Sequence, residues 1–322
     1  MASSALSSRL LLILGFYKTV MTSSSASSVT AEEPSPLNDK QPSTTRVWVA
    51  TLELTLSARP TKTVLTGSRH YGPLRVQRPF YPETNGCCHL YILHPPGGMV
   101  IGDELKISAT LEPNTHALLT TPSAGKIYGA KGAAQQQCQT IQFKVASGAC
   151  LEWLPQETIV FDSANGRLKT RIDLEPDARY AGWDIVRLGR IASGETFATG
   201  ECRQSLEVWQ AGIPQFIERN TIQAGGELQL SVWGLQNKNT LGTFIMTVEV
   251  DRNVIDQLYE SLELMRPAEK EHWGITQKNA FFIARYLGDD VAFCRKGFEY
   301  IWQQLRPLFN QQDAVIPRIW NT

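Results

Sequence analysis

Two cysteines and two histidines fall within eight residues, at Cys87, Cys88, His89 and His94. Thiolate and imidazole bind zinc, nickel and related divalent ions, so this is where the sequence first offers chemistry. On an extended backbone Cys87 and His89 share a face, while His94, five residues from His89, points the other way. The segment thus presents two ligands on one side, short of the three or four of a stable zinc or nickel site. Transient coordination and a buried structural role both stay open. Carboxylates come next: Glu152, Glu157 and Asp162 lie in Leu151-Glu-Trp-Leu-Pro-Gln-Glu-Thr-Ile-Val-Phe-Asp162. Two such acids could serve as acid and base on a glycoside, or line a polar passage for a divalent cation. Ordinary turn and edge acids give the same pattern.

Two further motifs point to chemistry the surrounding residues do not support. Ser123-Ala-Gly-Lys126 has the S-x-x-K spacing of acylating hydrolases, which needs Ser and Lys one helical turn apart. Pro122 and Gly125 do not suit such a helix, and the accompanying S-D-N and K-T-G are absent. Gly97-Gly98-Met-Val-Ile-Gly102-Asp103 is glycine-rich, yet no Lys-Ser or Lys-Thr follows it to hold phosphate and Mg²⁺. It lacks G-x-G-x-x-G and leads into a strand, as a tight turn would. A nucleotide, if one is used, belongs to a partner.

The elements that must position these groups follow from hydrophobic period. From Arg46, Val47, Val49, Leu52, Leu54 and Leu56 alternate, which predicts a half-buried strand. Further strands are expected at His89–Leu93, Leu105–Leu111, Gln139–Val145, Leu168–Leu174, Trp183–Leu188, Leu206–Gln210, Leu228–Trp233 and Thr243–Val250, separated by Gly and Pro breakers. Then the period becomes helical. Val254, Leu258, Leu262 and Met265 predict one helix before Pro267. A second is expected over Thr276–Leu287, with Gly288 as its C-cap, and a third over Val291–Arg306, opened by Asp289 and Asp290 and stopped by Pro307. The expected fold is mainly β: a large multi-stranded body over 46–250 carrying a small C-terminal helical cap over 251–322.

Composition narrows the function. Among 322 residues, 31 Lys and Arg balance 31 Asp and Glu, so no net field draws the chain onto nucleic acid or an anionic membrane. Hydrophobic residues make up 42%, enough for a core and too many for a disordered chain. Six cysteines without a C-x-x-C pair suit reduced thiols in the cytoplasm. At the N-terminus, Arg9 precedes the apolar run Leu10–Phe16, which resembles a signal peptide but is too short to span a bilayer. The Ser-, Thr- and Pro-rich stretch that follows makes 1–45 an expected disordered leader, with the true start expected at Met21.

Five blocks in order carry a resemblance. Gly72-Pro-Leu-Arg-Val-Gln-Arg-Pro-Phe-Tyr-Pro-Glu83, His94-Pro-Pro-Gly-Gly-Met-Val-Ile-Gly-Asp103, Leu119-Thr-Thr-Pro-Ser-Ala-Gly-Lys-Ile-Tyr128, Leu151-Glu-Trp-Leu-Pro-Gln-Glu157 and Gly182-Trp-Asp-Ile-Val-Arg-Leu-Gly-Arg190 with Ser193-Gly-Glu195 resemble the signature blocks of the urease accessory protein UreD (UreH) family. The resemblance runs from Arg46 to the C-terminus. It implies a β-rich, non-enzymatic maturation factor that binds urease apoprotein and, through a UreF-type subunit, recruits a UreG-type GTPase. GTP hydrolysis on that partner then drives nickel into the urease active site. It implies no stably bound cofactor, nickel as a transient cargo, and no nucleic-acid or membrane partner. It also implies a passage for nickel, for which Glu83, Asp103, Glu152, Glu157, Asp162 and Glu195 are the candidate acids. Cys88 and His89 match the family's Cys-His pair and join the candidates, leaving Cys87 as an additional thiol. The competing expectations are a free-standing nickel carrier and a Ser/Lys or carboxylate hydrolase.

Overall fold

Ala50, Leu52, Leu54 and Leu56 alternate inward along the first strand, β1 (Trp48–Ala58), as the period-two pattern requires. The computed structural model describes residues 47–321 except 133, 191, 192 and 267–271; the expected leader and the Met21 start lie outside the described residues. After β1 come β2 (Thr63–Tyr71), β3 (Arg75–Val76), β4 (Cys88–Leu93), β5 (Asp103–Leu111), β6 (His116–Thr120), β7 (Gly125–Ile127), β8 (Gln137–Val145), β9 (Cys150–Trp153) and β10 (Thr158–Val160). The order continues with β11 (Asn165–Leu174), β12 (Arg179–Leu188), β13 (Glu201–Gln210), β14 (Ile213–Gln223), α1 (Glu227–Leu230) and β15 (Thr240–Met246). It ends with α2 (Arg252–Met265), β16 (His272–Lys278), β17 (Phe281–Gly288), α3 (Val291–Asn310) and a 3-10 turn, Arg318–Asn321. The fold is mainly β, as expected.

The strands form a seven-stranded sheet, β14-β13-β11-β8-β5-β1-β2, and a ten-stranded sheet, β16-β17-β15-β12-β9-β6-β4-β3 with β7 and β10 beside it. Leaving aside the short β7 and β10, successive strands from β4 to β13 alternate between the two sheets. Each therefore runs parallel to the previous strand of its own sheet, as β5, β8, β11 and β13 do. A parallel pair needs a crossover, and here a strand of the opposite sheet supplies it. The short turns at 112–115, 146–149 and 175–178 stack: Asn114 N–H donates to the Ser147 carbonyl, and Arg179 N–H to that of Ala149.

Layering follows from which faces are apolar. Leu52, Ile107, Phe143 and Ile172 from the seven-stranded sheet meet Leu90, Leu119, Trp153 and Tyr180 from the ten-stranded sheet. The other face of the ten-stranded sheet, with Trp183, Phe244 and Phe282, is covered by Leu258 and Leu262 of α2 and Phe298, Ile301 and Trp302 of α3. A sheet covered on both faces loses its alternation, and β9 and β15 are buried throughout.

Three corrections follow, the first from that burial. The segment Thr276–Leu287 is not a helix but part of the β16–β17 hairpin, turned at Asn279 with φ 50°. Phe281 and Ile283 face the inter-sheet core while Phe282, Ala284 and Tyr286 face the helices, and apolar residues on both faces imitate a helical period. Gly288 accordingly ends a strand rather than capping a helix. The expected strand Leu228–Trp233 is α1 and a turn; the Gln229 side chain folds back to accept the Gly225 N–H at 2.7 Å. Helix α3 opens at Asp290, whose carboxylate accepts the Phe293 N–H, but runs past Pro307 to Asn310. Proline in a helix interior costs about 3 kcal/mol, so this last turn is held by what it buries, namely Arg306 and Phe309.

Close approach seats α3 on the sheet. A Cβ at Gly242 of β15 would lie 2.7 Å from both Cys294 Sγ and Phe298 Cε2. Gly242→Val is therefore expected to lower stability by about 1–3 kcal/mol through overpacking. Gly274→Val, where a Cβ meets nothing within 4 Å, should leave it unchanged. Thermal unfolding of the two variants side by side checks this.

Candidate functional site

The ten-stranded sheet delivers a group of polar side chains into the layer beneath α3. Strand alternation sends Cys88 and Leu90 of β4 between the sheets and His89 toward the helices. On β9 it sends Leu151 and Trp153 inward and Glu152 toward α3. Arg306, on the buried stripe of α3, meets them. Its Nε donates to both oxygens of Glu152 at 3.1 and 2.9 Å, and its Nη2 donates to both oxygens of Glu83 at 2.8 and 2.9 Å. Nη1 donates to the Asp313 carbonyl, and Trp302 Nε1 donates to Glu152 Oε2 at 2.6 Å. His89 Nε2 lies 2.6 Å from Glu83, and His116 Nε2 of β6 lies 2.8 Å from Glu152. Arg306, His89 and the Glu152 side chain are fully buried.

The charges explain themselves through these partners. Burial works to raise the Glu152 carboxyl, but hydrogen bonds from His116 and Arg306 outweigh it and hold it at about 2. Glu83 is likewise lowered, burial being overcome by His89 and Arg306. Burial opposes the charge on Arg306, yet the two carboxylates raise it above the ordinary arginine value. His116 is driven down by burial and up by the Cys150 and Cys87 sulfurs beside it, and finishes well above the usual histidine range. Desolvation pushes the Cys87 thiol up to about 12, partly offset by His116.

A cavity opens separately, between the two sheets. His94, Gly98, Lys126, Gln139, Gln156 and Asp184 are among its lining residues. Asp184 is its one carboxylate among the described lining. Gln204 Nε2 donates to Asp184 at 3.0 Å; Asn220 then donates to Gln204 and to Glu218, which pairs with Arg285 at the surface. A chain of polar groups thus leads from the cavity to the exterior.

Of the residues expected from sequence, Glu83, His89 and Glu152 come together around Arg306. Cys87 and His89 do share a face, but Cys88 turns away, into the inter-sheet core and a hydrogen bond with Tyr81. The thiol that reaches the cluster is Cys87, the one the family pattern left over. Asp103 accepts the Val100 N–H at 2.8 Å and closes the Gly97–Gly102 turn into β5. Asp162 accepts the N–H groups of Ala198 and Thr199, and Glu195 pairs with Arg190 at 2.6 Å while accepting the Asp162 N–H, so this pair ties surface loops together. Glu157 makes none of these contacts; its carbonyl accepts the Gly125 N–H beside the cavity. Ser123 lies in a bend and Lys126 on a strand, so the helix that S-x-x-K chemistry needs is not formed. Sequence reasoning passed over Arg306, His116 and Asp184. An arginine recurring on the apolar stripe Phe298–Ile301–Leu305 was the available signal for the first.

The sequence profile of the UreD urease accessory protein family matches residues 49–321. A protein of Saccharophagus degradans named urease accessory protein UreD is 54% identical over 282 residues, covering 88% of this chain and 96% of its own length. Its namesake in Dechloromonas aromatica is 42% identical, covering 88% of this chain and 97% of its own length. One from Nostoc is 38% identical, covering 85% and 96%. With the profile running from β1 to the final 3-10 turn and these relatives matched along nearly their whole length, the chain belongs to the UreD urease accessory protein family.

Proposed function

We propose that this chain is a urease maturation factor, a cytoplasmic, non-enzymatic scaffold that binds urease apoprotein and works with UreF-type and UreG-type partners to insert nickel. The observation that carries the proposal is the family match over residues 49–321. The fold supports it in two ways. The Gly97–Gly102 turn leads into a strand and is closed by Asp103, as a tight turn and not a phosphate loop would be; in this reading GTP is held by the UreG-type partner. The inter-sheet cavity, with Asp184 inside and polar groups leading outward, has the weak oxygen and nitrogen donors that a passing divalent cation needs. Nickel is cargo on that path, held loosely enough to leave. No helix among the described residues is long and apolar enough to cross a membrane.

The test is urease activity, with nickel content per active site, in cells carrying a complete urease cluster but lacking this chain. Both should fall to background and return when the chain is supplied. Normal nickel loading in its absence would overturn the proposal.

A further inference from the structure

The Cys87 sulfur sits where two sets of ligand atoms meet. Atoms of Cys87, His116 and Glu152 all lie within 4.8 Å of one another, and so do those of Glu83, Cys87 and His89. We propose that Cys87, His116 and Glu152 form a binding site for a borderline divalent transition-metal ion, with Glu83 and His89 as an adjoining ligand pair that shares the same sulfur.

Geometry comes first. Metal–ligand bonds of about 2.0–2.3 Å in a tetrahedron place ligand atoms roughly 3.3–3.8 Å apart. The groups present therefore need to close by only about an ångström, within the reach of side-chain rotation. Donor chemistry comes second. One sulfur, one imidazole nitrogen and one carboxylate oxygen suit nickel, zinc or cobalt, and disfavour calcium and magnesium, which take oxygen alone. Coordination is through the thiolate, so the Cys87 proton leaves as the ion arrives.

An unpaired atom in the adjoining pair marks the place as more than a structural ion network. His89 Nδ1 is buried with no hydrogen-bond partner among the described residues. Buried polar atoms are nearly always paired, so an orphaned imidazole nitrogen in a cluster of ligand-type residues is what a ligand or trapped water accounts for. The His116 side chain keeps 18% exposure while that of Glu152 has none, which gives the cluster an opening to solvent at one ligand. Arg306 donates to both oxygens of Glu152 and of Glu83 and keeps them ionised without occupying the sulfur, so an ion held at Cys87 shares Glu152 with the guanidinium. Three protein ligands leave a fourth position open, the arrangement of sites that exchange what they hold rather than lock it. The cluster lies on the helix side of the ten-stranded sheet, apart from the inter-sheet cavity. It rests on the maturation reading only for naming nickel as the ion met in the cell.

Cobalt(II), titrated into the purified full-length chain, reads the site directly through thiolate-to-cobalt charge-transfer absorption. The expected result is a band saturating at one equivalent and displaced by nickel. It should be lost in Cys87→Ser, and cobalt affinity should weaken about tenfold or more in His116→Ala. Cys138→Ser, at the one cysteine that is not buried, should keep the band. Absence of the band in the wild-type chain, or its survival in Cys87→Ser, overturns the proposal. Should Cys87→Ser fail to fold, X-ray absorption of the nickel-loaded wild-type chain decides: a sulfur neighbour supports the site, and an oxygen and nitrogen shell alone overturns it. An intact band with no urease defect in cells lacking the chain would sink the maturation reading and leave the site standing. The reverse pattern would do the opposite.

Discussion

Arg306→Met is expected to lower the melting temperature by roughly 6–20 °C, from a loss of about 3–5 kcal/mol at about 2–4 °C per kcal/mol for a chain of this size. The substitution keeps most of the buried volume and removes the cation that faces both Glu83 and Glu152. Their carboxylates would then lie in a dry layer with His89, His116, Trp302 and a long contact from Asn310 to answer them. Breaking one partner out of a buried ion group costs more than the group ever contributed, because the remaining charges stay desolvated. The combined variant Glu83→Gln, Glu152→Gln, Arg306→Met should therefore recover part of the loss. Acid titration gives an independent check. The Glu152 carboxyl sits at about 2 in the folded chain, below its usual 4.5, so its stabilising contribution is complete above pH 4.5 and fades as pH falls toward 2. A melting temperature for Arg306→Met within about 2 °C of wild type would show that the layer admits water, contrary to the full burial of Arg306.

Asp184→Asn should do the reverse, making the chain more stable and less useful. Burial raises the Asp184 carboxyl to about 6 from 3.8; Gln204 opposes the rise and Glu218 adds to it. A folded-state value above the unfolded one means that the folded chain binds the proton more tightly. Stability is then highest below pH 3.8, declines as pH rises toward 6, and stays low above. At about 1.4 kcal/mol per pH unit, the penalty at neutral pH reaches about 3 kcal/mol at most, since the side chain faces a cavity rather than packed core. Asparagine removes it, so the variant should melt up to roughly 6–12 °C higher at pH 7.5 and level with wild type near pH 4. Nickel loading of urease in cells should fall for the same variant, because the one carboxylate in the described cavity lining is gone. Equal melting at pH 7.5 would show that Asp184 is hydrated and ionised without strain. Normal loading would remove the cavity from the nickel path.

How far the sequence speaks depends on which face of which sheet a residue occupies. Period two was plain in β1, β5, β8 and β11, where one face meets solvent. It was lost in β9, β15 and β17, buried on both faces, and β17 was read as a helix for that reason. Strand alternation correctly put Cys87 beside His89, whereas the family pattern favoured Cys88, which faces the opposite layer. His89 and Glu152 were legible as candidates by residue type, and Glu83 only through the family resemblance. Their common partner was not, since Arg306 looks from its neighbours like the end of a helix stopped by proline. Asp162 and Glu195 were legible as acids but serve to fasten loops, a role that residue type does not distinguish from metal binding.

The Arg306 contacts also bear on how the chain is made. Arg306 lies 223 residues from Glu83 and 154 from Glu152 along the polypeptide. Fold classes dominated by such distant pairings reach the native state slowly, because loop-closure entropy is lost before the contacts repay it. During synthesis the strands can wind onto one another as they emerge, since each lies beside one made shortly before. Two acids nonetheless face an uncovered layer until nearly the whole chain has left the ribosome. A polypeptide cut short of α3 therefore keeps two carboxylates without the guanidinium that answers them in the full chain.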